Sequence, residues 1–261
     1  MKRSAYKLLA AGNMVALLIT FLINYLSNTG VFNGTTIANI SNRYKNLLTP
    51  ADYAFSIWGL IYIGLFAFVI YQAWLFARPD RAPQEKAAMQ VGIWFILSCI
   101  ANCLWVLAWV YGYMGLSILI MVALLYALIN IISNTNMERY TATLRETLLV
   151  WWPFSLYAGW ISLALAVNIA TYLTKSDWDG FGLSDRFWAM TLICIIGILN
   201  LLMIWKRNMR EFATVGIWGL VAIAVANWST EKFVVIFSLV VASFLLINNI
   251  IHARKNFKGF L

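Results

Sequence analysis

The sequence predicts an all-α fold, a polytopic membrane helical bundle of about eight transmembrane helices. Three observations predict it. Hydrophobic residues make up 62% of the chain and charged residues only 11%, whereas a soluble domain keeps about a quarter of its residues charged. The apolar residues gather into runs of about 20, the length that crosses a hydrocarbon core as a helix. The basic residues stand in short clusters between these runs, the pattern of helix-flanking anchors. That placement turns the net charge of +9 away from nucleic acid and toward membrane orientation.

The elements follow in order. Met1 to Lys7 is basic, and Leu8 to Leu26 is apolar. The run is long for a signal-peptide core and no A-x-A cleavage pattern follows, so a retained first span is expected. Ser27 to Tyr53 is a polar loop with NTG, NGTT and TP turn signals. Its length makes it either a candidate lid or a solvated connection. The second span is Ala54 to Ala77, followed by a polar, proline-containing link, Arg78 to Lys86. The third span, Ala88 to Val110, ends at the tight turn Tyr111-Gly112-Tyr113. The fourth runs from Met114 to Ser133, and Asn134 to Glu146 is polar. The fifth, Thr147 to Tyr172, carries Pro153 in its first turns, where proline is best tolerated. Leu173 to Arg186 forms a second exposed loop. Three more spans are expected at Phe187 to Trp205, Phe212 to Trp228 and Phe233 to Ile251.

Charge agrees with eight spans. Both termini then share one side, which holds 14 of the 19 Lys and Arg residues. The other side holds Arg43, Lys45, Lys175, Arg186 and Lys232. The positive-inside rule makes the richer side cytoplasmic. The expectation is an integral protein of a bacterial plasma membrane with both termini inside.

The residues exclude some chemistry. No Asp, Glu, Lys, Arg or His falls in the middle of any expected span, which disfavours an ion-driven pump. No Gly-Lys-Ser/Thr phosphate loop, HExxH or GxSxG motif is present, so the sequence shows no ATPase or hydrolase machinery. Cys99, Cys103 and Cys194 lie inside apolar runs without a histidine or acid to complete a metal site, and read as packing residues. His252, at the basic C-terminal end, reads as interfacial. No metal and no resident cofactor are expected.

Aromatics and amides remain. Of the 13 tryptophans, Trp58, Trp94, Trp105, Trp109, Trp160 and Trp218 fall deep in expected spans. A deep indole needs a partner for its N–H or a cavity to line. Trp58 and Tyr62 are four apart and share a helix face. Asn102, Trp105 and Trp109 place an amide beside two indoles on one face of the third span. Tyr157, Trp160 and Asn168 lie on roughly one side of the fifth. Such walls suit a large, flat, mostly apolar ligand, and equally suit tight interhelical packing with amide glue. Ala158, Ser162, Ala166 and Ala170 form a small-residue stripe expected at a close helix contact.

The first five spans, roughly Ala10 to Tyr172, resemble the TspO family, the translocator proteins or tryptophan-rich sensory proteins. Pro50, Phe55, Trp58 and Tyr62 look like its P-x-x-x-F-x-x-x-W-x-x-x-Y signature, with the Trp-to-Tyr spacing kept. Asn102-Cys103-Leu104-Trp105 with Trp109 looks like its N-x-x-W-x-x-x-F stretch. Tyr157, Trp160 and Asn168 are similar to its P-Y-x-x-W…L-N helix. The chain departs from the pattern in five ways. A double proline is reduced to Pro50, the interval from Pro50 to Phe55 is one residue longer, Pro153 stands about one turn early, the usual loop tryptophans are missing, and three spans are added.

The resemblance implies a five-helix core over residues 1–172 with three additional helices over 173–261. It implies a pocket under the first loop that binds tetrapyrroles such as protoporphyrin or haem. Carried over residue by residue, Trp58 and Trp160 line that pocket with Tyr62, Asn102, Trp105 and Asn168 beside them. Trp109 and Tyr157 complete the candidate ligand-binding set. The expectation is a receptor or carrier with a sensory or stress-regulatory role, its partners being the bilayer and a hydrophobic small molecule. The alternatives are a permease for an unrelated small molecule, an enzyme degrading porphyrin in light through Trp58 or Trp160, and an assembly subunit. A monomer is expected if the last three helices cover the face that a five-span relative uses to dimerise.

Overall fold

The computed structural model describes residues 3–77 and 88–257, and their regular structure is helical throughout. Eight long helices stand where eight spans were expected. They are α1 (Arg3–Ser27), α3 (Ile57–Ala77), α4 (Trp94–Val110), α5 (Met114–Asn134), α6 (Leu144–Lys175), α7 (Asp185–Arg207), α8 (Arg210–Ala226) and α9 (Lys232–Phe257). Between α1 and α3 lie a short helix, α2 (Ile37–Arg43), and a 3-10 turn (Asp52–Ser56). Six of the long helices have the length and hydropathy to cross a membrane. The other two, α4 and α8, have 17 residues each. Large apolar side chains such as Ile63, Leu119 and Ile236 stand on the outer surface, as residues that face lipid tails do. The link Arg78 to Lys86, and the cations at Lys2, Arg78, Arg81, Lys86 and Lys258, lie outside the described residues.

Several boundaries differ from expectation for local reasons. The third span does not run unbroken from Ala88. Val91–Ile93 forms a turn in which Gly92 takes φ +58° and its N–H donates to the Met89 carbonyl at 3.1 Å. A left-handed residue cannot continue a right-handed helix, so α4 starts at Trp94. The first loop, expected as a polar connection, is partly helical. The fifth span begins earlier, at Leu144, where Thr143 caps the helix by accepting from the Glu146 N–H at 3.2 Å. A π-helical turn, Thr147–Trp151, then precedes Pro153. Proline has no N–H to give to the preceding turn, and widening that turn accommodates the loss.

The chain forms two compact units. The first comprises the described residues up to Ile40 together with those of Ile57–Ala158. In it α1 packs on α3 and α4, and α4 pairs with α5 as a hairpin. Gly112 turns that hairpin at φ +78°, and the Tyr113 N–H closes back on the Ala108 carbonyl at 2.8 Å. Phe68, Phe95 and Phe154, from α3, α4 and α6, form an edge-to-face triad with centroids 5.0 to 5.5 Å apart, all fully buried. Such pairs add to the area they bury.

The second unit comprises Ser41–Ser56 and the described residues from Gly159 onward. Here α7, α8 and α9 pack on one another, and α8 also meets the 3-10 turn. A Cβ on Gly159 would stand 2.8 Å from the Phe212 carbonyl oxygen, so α6 and α8 approach backbone to backbone there. Of the expected stripe, Ala158 is buried, whereas Ser162, Ala166 and Ala170 are only half buried. The close contact turns instead on Gly159 and on Leu163 against Gly219. Ser184 caps α7 from its side chain, and Arg186 pairs with Glu231 at 3.0 Å.

Candidate functional site

Six of the eight candidate residues belong to the first unit. Trp58 and Tyr62, one turn apart on α3, stack with centroids 5.8 Å apart and planes 28° from parallel. Tyr157 of α6 meets Trp58 edge-on at 5.7 Å. The Tyr157 hydroxyl accepts from Asn102 Nδ2 at 2.9 Å. Asn102 Oδ1 in turn accepts from Asn24 Nδ2 at 2.7 Å. One chain of contacts therefore joins α3, α6, α4 and α1, and Asn102 and Tyr157 at its centre are buried. Phe21 closes the cluster, its ring edge-on to Tyr62 at 5.3 Å.

Trp105 and Trp109 make a second stacked pair one turn along α4, at 5.7 Å. Their indoles have different duties. Trp109 Nε1 donates to the Ile37 carbonyl at 3.1 Å, and Asn33 Nδ2 donates to the Val110 carbonyl at 3.0 Å. Together they fasten the first part of the loop to the end of α4. Trp105 Nε1 and the Tyr62 hydroxyl are buried without a hydrogen-bond partner among the described residues. Buried polar groups of that kind are uncommon in folded proteins and call for an explanation.

Trp160 and Asn168 belong to the second unit, although they share α6 with Tyr157. Trp160 is 2% exposed and faces the Phe55 ring edge-on at 6.1 Å. Asn168 is buried at 1%. The spacing on α6 suggested one grouping of Tyr157, Trp160 and Asn168. By contacts the unit boundary falls between Ala158 and Gly159.

Asn24 was missed, along with the stripe to which it belongs. Asn13, Thr20, Asn24 and Ser27 follow one another at intervals of seven, four and three, and all are buried. That spacing places them on one face of α1. Asn13 Nδ2 donates to Gln72 Oε1 at 2.9 Å, and Gln72 Nε2 donates to the Ala88 carbonyl at 3.0 Å. Thr20 Oγ1 accepts a weak contact from Cys103 Sγ at 3.5 Å. The interval pattern was visible in the first span, where amides and hydroxyls interrupt an apolar run.

Among the described residues no three His, Cys, Asp or Glu side chains gather as a metal site, and the three cysteines are free thiols. His252 is buried at the C-terminal end of α9, with Nε2 3.1 Å from Asn208 Oδ1. The chemistry on offer at the aromatic cluster of the first unit is uncharged. It consists of flat aromatic faces and amides that both donate and accept, with the buried Tyr62 hydroxyl and Trp105 N–H on the same two helices.

The model of the TSPO-like protein family matches residues 8–251. The chain belongs to the TSPO-like protein family. The match continues past Tyr172, where the residue-level resemblance stopped, and takes in the last three helices. No curated protein and no solved structure matches the chain. Family membership and six long apolar helices together make it an integral membrane protein of TspO type.

Proposed function

We propose that this TSPO-like protein is a receptor or carrier for a flat, mostly apolar ligand of the tetrapyrrole class, with a sensory or stress-regulatory role. One observation carries the reading. Trp58, Tyr62 and Tyr157 form an aromatic wall, and the buried Tyr62 hydroxyl within it, like the Trp105 N–H on α4, has no hydrogen-bond partner among the described residues. Stacking on the rings contributes burial, and a ligand with polar edges satisfies donors that otherwise cost about 1–3 kcal/mol each. The Asn24–Asn102–Tyr157 chain holds the wall in place without charge, which suits a ligand taken from lipid. Trp160 and Asn168 are proposed as ligand-contact residues within the second unit, and Trp109 as the residue that fastens the loop in the first. Porphyrin or haem enters as ligand, with no resident cofactor. The five-helix part acts as the binding core, and the protein acts as a monomer with both termini on the cytoplasmic side of a bacterial plasma membrane.

The test is a titration of purified protein with protoporphyrin IX, read by tryptophan quenching against an unrelated tryptophan-rich membrane protein. Saturable quenching that weakens in Trp58→Phe, Tyr62→Phe and Trp160→Phe is expected. Quenching no different from the control sinks the proposal. Loss of the Soret band under illumination, abolished in Trp58→Phe or Trp160→Phe, would instead mark the light-dependent enzyme.

A second reading draws on the buried stripe Asn13, Thr20, Asn24 and Ser27. A polar seam through a membrane helix suits a permease for a small neutral solute. Solute flux across proteoliposomes that falls in Asn24→Leu, with no porphyrin binding, would replace the first reading by this one.

A further inference from the structure

The second unit holds part of the first loop by its backbone. Trp218 Nε1, on α8, donates to the Ala54 carbonyl at 3.2 Å. One turn on, the Ala222 carbonyl accepts from the Ala51 N–H at 3.1 Å. At the end of α8, Asn227 Nδ2 donates to the Leu47 carbonyl at 3.0 Å. The Tyr53 ring also packs edge-on against Trp218 at 5.1 Å. Three backbone groups between Leu47 and Ala54 thus find their partners on one helix of the C-terminal three. A loop beside lipid has few other partners for such groups.

Trp218 shows that this is more than packing. Its side chain is 37% exposed, like a tryptophan of an aromatic belt. A belt tryptophan turns its N–H toward headgroups and water. Trp218 gives its N–H to the loop. The next residue after Ala54 is Phe55, and Phe55 is the ring that meets Trp160.

We infer that Trp218 and Asn227 are positioning residues that clamp residues 47–54 and so fix Phe55 against Trp160. This is the contribution of α8 to ligand binding, and it rests on the reading of Trp160 as a ligand-contact residue. The clamp itself needs no ligand, so the two parts are tested separately.

The experiment uses the full chain in nanodiscs. Amide hydrogen exchange is followed in peptides covering 46–55, in wild type, Trp218→Phe and Asn227→Ala. Trp228→Phe, at a residue 64% exposed beyond α8, is the control. Trp218→Phe keeps an aromatic ring against Tyr53 and removes the donor together with the second ring of the indole, a loss of ring area that the Trp228→Phe control shares. Each variant should speed exchange in 46–55 by about 5-fold, the worth of one net hydrogen bond. Exchange in α7 and α9 should stay at the wild-type rate, which shows that the bundle is intact. The dissociation rate of protoporphyrin IX, read by Soret absorbance, should rise by about the same factor. Unchanged exchange in both variants overturns the clamp. Faster exchange with an unchanged porphyrin dissociation rate overturns the positioning role and leaves binding standing. Absence of porphyrin binding in wild type sinks the ligand reading, and exchange alone then decides whether α8 holds the segment.

Discussion

Replacing Asn102 by leucine removes the middle of the amide chain in the first unit. Asn102 is fully buried, and leucine keeps its branching at Cγ and its number of heavy atoms, so the change is chiefly one of hydrogen bonding with some added bulk. Two bonds go, one from Asn24 Nδ2 at 2.7 Å and one to the Tyr157 hydroxyl at 2.9 Å. Asn24 Nδ2 keeps its bond to the Thr20 carbonyl at 2.9 Å, whereas the Tyr157 hydroxyl loses its donor. A net hydrogen bond contributes about 1 kcal/mol in a soluble core and about 0.6 kcal/mol between membrane helices. Two lost bonds plus one stranded hydroxyl come to about 1–3 kcal/mol. Reversible unfolding in bicelles measures it, and a double-mutant cycle with Tyr157→Phe isolates the pair. The cycle should give a coupling of about 0.5–1.5 kcal/mol. A coupling below about 0.3 kcal/mol would refute the idea that Asn102 and Tyr157 hold the aromatic wall together.

Two other outcomes follow from geometry and titration. Gly159→Ala drives a methyl group against the Phe212 backbone, 2.8 Å from its carbonyl oxygen. It should cost about 1–3 kcal/mol, seen as a lower thermal midpoint, while Gly59→Ala, with no atom within 4 Å of the new carbon, should leave the midpoint level or slightly raised. In the loop before α6, burial first and the Glu146 carboxylate second hold the Tyr140 phenol above its ordinary range. The unfolded chain then releases that proton at a lower pH than the folded one. Stability is therefore unaffected below about pH 10 and falls above it, and Tyr140→Phe should flatten this alkaline decline in a pH series of melts.

The membrane class and the eight long helices were legible because apolar run length and charge placement are read along the chain. Trp58 with Tyr62 and Trp105 with Trp109 were legible because neighbours one turn apart on a helix need no tertiary knowledge. Asn24 was not picked out, since its partner lies 78 residues away and periodicity names a face without naming what meets it. The same limit hid the unit boundary next to Gly159, where adjacent turns of one helix serve different cores. The break at Gly92 depended on a left-handed glycine inside an otherwise apolar stretch. The π-helical turn before Pro153 answered a missing N–H that the sequence shows, but the choice between kinking and widening belongs to the packing.

The stripe on α1 has a consequence for how the chain is built. Asn13 and Asn24 stand eleven residues apart, about 16 Å along the helix. Their partners, Gln72 and Asn102, sit on α3 and α4. Lipid offers no hydrophobic drive to orient one apolar helix against another, so these two amide pairs act as pegs that fix the rotation and depth of α1. Neither peg has its hole when α1 first enters the bilayer. The second hole arrives only with α4, after two long helices are in place. Until then α1 waits in the membrane with its polar face unmatched, and its docking is timed by the synthesis of residues that follow it.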